Sequence, residues 1–209
     1  MDDVDAVQAQ IAHNMLQSGD WVTARLDGVA YLEKAPLKYW MIAICFKIFG
    51  VHDWAARIPI ALSAILLAWL VARMAGWAFG PRAGLFAGLS IAVAPGLWLF
   101  TRVLIPDVIL TLSIAFTLWS FMRALEPDSV RPRRWALTAW AGIGIGILLK
   151  GLIAAVFPMG AAFFYLIFSG QWRRREAWRR LSIAPGIAVM LLIAAPWHVL
   201  ATIRNPPYF

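Results

Sequence analysis

Six stretches of this chain are apolar for long enough, or nearly long enough, to cross a lipid bilayer. No other feature of the sequence restricts the fold as much. A helical span needs about 20 mainly apolar residues, with a range of about 17–25. The stretches are 58–79 (interrupted only by Arg73), 83–101, 106–122, 135–149, 151–172 and 181–203. Hydrocarbon offers a backbone no hydrogen-bond partners, so runs of this length must fold as helices. Pro59, Pro95, Pro158, Pro185 and Pro196 fall inside them, which bilayer helices tolerate. The 135–149 stretch is short, and its Gly142, Gly144 and Gly146 point to close helix packing rather than lipid exposure. The expected fold is all-α, a polytopic transmembrane helix bundle.

Composition agrees. Of 209 residues, 62% are hydrophobic and only 14% charged, against about 25% charged in soluble domains. That excludes disorder and an ordinary soluble globule. The formal charge of +8 does not point to nucleic acid, because the basic residues sit between apolar runs. There is no recognition helix, zinc spacing or basic–aromatic groove. Cys45 is the sole cysteine, which excludes an intrachain disulfide and a multi-cysteine metal site.

Charge also sets the sidedness. With six spans, the loops at 73–82, 123–134 and 173–180 share one face and hold eleven arginines. The opposite short loops hold only Arg102, Lys150 and Arg204. The positive-inside rule puts the eleven in the cytosol, so residues 1–57 are expected outside. Within that segment, Val4, Val7, Ile11 and Met15 predict an amphipathic helix over about 3–17, stopped at Ser18-Gly19-Asp20. Asp27-Gly28 marks a tight turn. The 37–49 stretch carries Lys38 and Lys47 and is too short to span. Its stripe of Leu37, Trp40, Met41, Ile44, Cys45 and Ile48 suits a juxtamembrane helix at the interface.

The motifs of this outer segment resemble a known family. The run 15–23 (MLQSGDWVT), then Gly28, then 31–40 (YLEKAPLKYW) is similar to the first external loop of lipid-linked sugar transferases of the GT-C fold. These are the protein O-mannosyltransferase-like enzymes, which include the aminoarabinose transferase of lipid A. Phe49-Gly50, Ala55-Ala56-Arg57-Ile58-Pro59, Pro106-Asp107, Leu149-Lys150-Gly151 and Pro196-Trp197-His198 follow in the family's order. The resemblance implies a GT-C type bundle with extracytoplasmic juxtamembrane helices in a bacterial inner membrane. It implies an inverting transfer of a sugar from a polyprenyl-phosphate donor to an acceptor hydroxyl or phosphate, on lipid A, a protein or another envelope glycan, on the outer face. It also implies that the chain corresponds to the N-terminal half of such an enzyme without its first helix, so that residues 1–209 alone are expected to be inactive.

The chemistry needs a base for the acceptor hydroxyl and cations for the departing phosphate. The resemblance implies an acid just before the first amphipathic helix, with Asp3 and Asp5 the candidates. A gap-free count puts the family's aspartate at Val4 and its following basic residue at Val7. Either acid can instead cap the helix, as can Asp2. Asp107, at the entry to a span, is the third catalytic candidate, or a helix-dipole partner. Lys34 is the principal candidate for the lipid phosphate, with Arg204 and Lys150 as further cations. Each of these also fits an interface anchor. Arg57 reads as structural. His13, His52 and His198 show no metal spacing, so a divalent metal has no support in the sequence. A transporter or flippase for a lipid-linked sugar is the competing reading. It is disfavoured because no repeat relates 58–122 to 135–203 and the suspect residues gather at one interface.

Overall fold

The computed structural model describes residues 3–206, Asp3 by its backbone alone. The chain divides into two compact units, Met1–Leu112 with Trp197–Phe209, and Ser113–Pro196.

In the first unit, helix α1 (Asp3–Ser18) stops at Gly19, whose φ of +69° takes the backbone out of the helix. Asp20 Oδ1 then accepts the N–H groups of Val22 at 3.0 Å and Thr23 at 3.1 Å. A two-residue hairpin follows, β1 (Arg25–Leu26) with β2 (Val29–Ala30). Asp27 and Gly28 turn it with φ of +51° and +81°, and positive values at both positions are what a tight hairpin of this twist requires.

Helix α2 (Leu37–Phe49) buries Lys38, Tyr39, Ile42, Ala43 and Phe46. The apolar stripe seen in the sequence is the opposite face, with Ile44 and Ile48 exposed. Helix α3 (Asp53–Phe79) packs against α4 (Pro81–Ala92) through small residues. A Cβ on Gly84 would lie 2.6 Å from Ala72 O, and one on Gly88 2.8 Å from Ala72 Cβ. Such contacts let membrane helices approach closely. The 83–101 stretch is not one straight helix. It breaks before α5 (Pro95–Arg102) with a 44° bend, because Pro95 drives Ala94 to extended geometry (φ −64°, ψ 123°).

Helix α6 (Asp107–Leu125) starts in the first unit and ends in the second. There follow α7 (Pro132–Lys150), α8 (Ile153–Phe168), a 3₁₀ turn (Gln171–Arg173), α9 (Arg175–Arg180) and α10 (Ile183–Arg204), the last returning to the first unit. The second unit's core centres on Trp140, whose Nε1 donates to Leu181 O at 3.0 Å. Its ring meets Phe121 edge-on at 6.0 Å. Gly142 is in close contact with Thr117, and Gly146 with Ala154.

Among the described residues, three helical runs are long and apolar enough to cross a membrane: Asp53–Phe79, Asp107–Leu125 and Arg175–Arg204. The bent α4–α5 pair makes up to four if taken as one span. Exposed Ile65, Phe86, Leu192 and Ile203 on these helices are what lipid-facing surfaces present. The fold is an all-α bundle of membrane-spanning helices with short juxtamembrane elements.

Candidate functional site

The polar groups of the first unit gather where α1, α2 and α3 begin and where α5 leads into α6. Asp5, on the first turns of α1, is only 2% exposed. One of its oxygens accepts from Arg57 Nη2 of α3. The other accepts the backbone N–H of Leu104 at 2.6 Å. Arg57 also donates through Nη1 to Arg102 O at 2.6 Å. One buried carboxylate thereby ties α1 to α3 and to the extended 103–106 connection, which delivers Asp107 two residues after Ile105. Removing an ion from water is costly unless a partner and further hydrogen bonds take water's place, and Asp5 has both.

One turn further along α1, buried Gln8 presents Oε1 to two donors, the Lys38 amine and Tyr39 Oη at 3.0 Å. Lys38 is 3% exposed and sits 4.7 Å above the Tyr39 ring. Burial pushes its pKa down to about 7; the charge of Lys34 adds to that, and Asp107 opposes it. Lys34 itself is exposed and bonds Glu33 Oε1 at 2.7 Å, a bond that raises the lysine and lowers the carboxyl. Lys34 is therefore firmly cationic, and accessible to an anion arriving from the interface.

Asp107 and Thr111 are the polar residues lining a cavity of about 380 Å³ otherwise walled by Leu67, Ile91, Ala94, Gly96, Leu97, Phe100 and Val108. The cavity lies beside the bend at Ala94, so the Pro95 break that interrupts one span also shapes this wall. Arg204, at the end of α10, pairs with Asp20 at 3.2 Å. Its neighbour Asn205 donates to Thr23 Oγ1 at 3.0 Å.

Of the residues selected from sequence, Asp5, Asp107, Lys34 and Arg204 fall in the first unit. Lys150 ends α7 in the second unit. The side chain of Asp3, like Asp2, lies outside the described residues. No group of three or more potential metal ligands converges among the described residues. Lys38 and Gln8 are the participants that sequence reasoning missed; Arg57, read there as structural, is the partner of Asp5. An apolar helix face that buries a lysine opposite a glutamine 30 residues away leaves no local signature.

These features define a class: a helical membrane protein whose juxtamembrane elements hold cations and a buried, paired acid, with a further acid in the wall of an apolar cavity. The family profile of dolichyl-phosphate-mannose-protein mannosyltransferases matches residues 33–199, and the chain belongs to that family. An undecaprenyl phosphate-α-4-amino-4-deoxy-L-arabinose arabinosyl transferase of Pseudomonas paraeruginosa is 31% identical over 207 residues, 96% of this chain and 36% of that protein. The chain thus spans about a third of the length of the curated relatives it matches. Among solved structures, ArnT from Cupriavidus metallidurans in the apo state superposes with a TM-score of 0.90 at 33% identity. ArnT bound to undecaprenyl phosphate gives 0.92, the match covering 98% of this chain and 38% of that one.

Proposed function

We propose that the chain serves in a membrane glycosyltransferase of bacterial inner membranes, moving a sugar from a polyprenyl-phosphate donor to an acceptor hydroxyl on the outer face. The observation that carries this reading is the fold match to ArnT bound to undecaprenyl phosphate; the exposed, cationic Lys34 and the acid-bearing cavity at Asp107 agree with it. The relatives named above transfer sugars, which favours transfer over transport.

In the proposed reaction a carboxylate removes the acceptor's hydroxyl proton, and the oxygen attacks the anomeric carbon from the face opposite the phosphate. The bond from that carbon to the phosphate oxygen breaks, and the lipid phosphate leaves with the electron pair. Configuration inverts. The leaving phosphate gains charge as the bond breaks, so a fixed cation stabilises the transition state more than the ground state. Lys34 is the proposed cation. Arg204 is a supplementary one through the donors not used on Asp20. Asp107, the one acid in the cavity wall, is the proposed base. Asp5 has both oxygens engaged, which supports a positioning role on the 103–106 connection. The family's likeness also keeps Asp3 a candidate for the base. Lys150 carries no part in this scheme.

Envelope lipids from cells with and without the gene, compared by mass spectrometry, test the reading. Loss of a glycosylated species on deletion, restored by the gene, is expected. Identical profiles together with unchanged protein glycans would remove it. The outer placement of residues 1–57 is tested by Asp20→Cys, which an impermeant thiol reagent should label in intact cells, and by Ser129→Cys, which it should not.

A further inference from the structure

Lys38 is a charged side chain in a place that gives a charge little support. The residue is 3% exposed, its amine donates to a neutral amide oxygen on Gln8, and that amine also lies over the face of Tyr39. A structural role alone would be met by methionine or leucine at a fraction of the desolvation cost. The groups that face it are few. From the turn before α2 comes Lys34, which repels it, and from the start of α6 comes Asp107, which attracts it. From α1 comes Gln8, with Asp5 one turn away but committed to Arg57. On α2 itself Tyr39 stays a neutral phenol, because burial raises its pKa.

We propose that Lys38 is a second, concealed cation of the lipid-phosphate site, charged when an anionic phosphate sits on Lys34 and losing its proton readily when that site is empty. The inference rests on the donor reading given above and extends it to a residue that reading does not use. The physics is a linked equilibrium. With the site empty, burial and the Lys34 charge both act against the ammonium form. An incoming phosphate neutralises Lys34 and adds a negative potential, so Lys38 holds its proton more tightly in the complex than in the free protein. A group whose pKa is higher in the complex favours binding below its free value. That contribution disappears as pH rises through its bound value. With a free value of about 7 and a rise of about one unit on removing one like charge, affinity for the phosphate should fall about sixfold between pH 6.5 and pH 8.5. Lys38 touches no lipid in this scheme. It acts through the field at Lys34 and through the Gln8 anchor that keeps α1 and α2 together.

The test is binding of undecaprenyl phosphate to the full chain in lipid nanodiscs, from pH 6 to pH 9, for the wild type, Lys38→Met and Lys38→Arg. The ligand's own second ionisation near pH 6 is common to all three proteins and cancels when they are compared. The wild type should weaken about sixfold between pH 6.5 and pH 8.5. Lys38→Met should bind weakly throughout, without that extra pH dependence. Lys38→Arg, which cannot lose its charge, should bind at pH 8.5 more tightly than the wild type, a gain that misfolding cannot produce. Parallel curves for all three proteins overturn the role of Lys38 while leaving the donor reading standing. Failure of the wild type to bind undecaprenyl phosphate at any pH overturns the donor reading and this inference with it.

Discussion

The two compact units are made of the same kind of helix, yet are held together by different means. The first is wired by polar contacts at its interfacial end: Asp5 to Arg57 and Leu104, Lys38 and Tyr39 to Gln8, Asp20 to Arg204. The second is closed by shape. Trp140 fills its centre, Gly142, Gly146 and Gly186 let neighbouring groups come close, and its ion pairs, such as Arg180 with Glu176 at 2.8 Å, lie at the rim. Burying charge is costly and is kept where a specific geometry is needed. Close apolar packing suffices where the task is to hold a span in place. On the proposed reading the first unit carries the chemistry and the second the scaffolding, and substitutions in each should fail in different ways.

The largest separation is expected at Lys34. Losing one electrostatic partner of a developing anion costs about 10²–10³ in rate. On the proposed reading Lys34→Ala should therefore lower transfer by that factor, measured at saturating donor, with no change in thermal unfolding. Lys34→Arg should restore part of it, since a planar fork replaces a compact ammonium. Near-normal turnover of the alanine variant would return Lys34 to the role of an interface anchor.

Asp5 comes next and tests whether the polar wiring is structural. Breaking a buried pair costs about 3–5 kcal/mol; Arg57 is 33% exposed, which places Asp5→Ala at the low end, about 3 kcal/mol. Thermal unfolding in detergent should show it. Asp5→Asn keeps an acceptor for the Leu104 N–H and should recover part of the stability and most of the transfer. If Asp5→Asn folds like the wild type but transfers nothing, Asp5 is the base and Asp107 is not.

Gly186 probes the second unit. A Cβ there would run into the Trp140 ring at its Cδ1, Nε1 and Cγ atoms, and that ring is held by its bond to Leu181 O. Overpacking of this kind costs about 1–3 kcal/mol. Gly186→Ala should lower the unfolding temperature while leaving the affinity for undecaprenyl phosphate unchanged. A lowered affinity at unchanged stability would erase the division of labour between the units.

How much of this was legible beforehand follows the same division. Long apolar runs specify membrane helices by length alone, and Gly19 and Asp27-Gly28 mark their turns through positive φ, a property of single residues. Lys34 and Asp107 are candidates because they sit in motifs similar to a family's. Pro95 lies inside a single apolar run, and its effect on Ala94, a 44° bend between two helices, is invisible to a count of apolar residues. The face of α2 was harder to read. Periodicity selects Leu37, Trp40, Met41, Ile44, Cys45 and Ile48, and in a soluble protein such a stripe would be the core. Beside a membrane it is the outward face, with Ile48 at 66% exposure, and the buried face carries Lys38 and Tyr39. Gln8 and Arg57 gain their meaning only from partners 30 and 52 residues away, pairings that a single sequence does not reveal.

The smallest effect, and the finest test of the contrast, is at Asp20. Burial acts against its carboxylate, but the N–H groups of Thr23 and Val22, with Arg204 and Arg25, outweigh that and hold its pKa below the ordinary 3.8. A carboxyl lowered on folding contributes stability above its unfolded value and loses it as pH falls through the folded one. Nothing should therefore change between pH 5 and pH 8, and a small loss should appear below about pH 4. Arg204 is 52% exposed, so the ion pair adds well under about 1 kcal/mol, and the two N–H bonds carry most of the effect. Asp20→Asn keeps an acceptor for them and should cost less than about 1 kcal/mol at pH 7, with the acid dependence gone. The matched change in the second unit is Glu176→Gln, whose carboxylate is 71% exposed and should cost at most about 0.5 kcal/mol. Unfolding curves at pH 3, 5 and 7 decide between two outcomes. A loss at Asp20 confined to low pH, with Glu176 silent, keeps the polar wiring particular to the first unit, whereas equal losses at both positions would make the ion pairs of the two units equivalent.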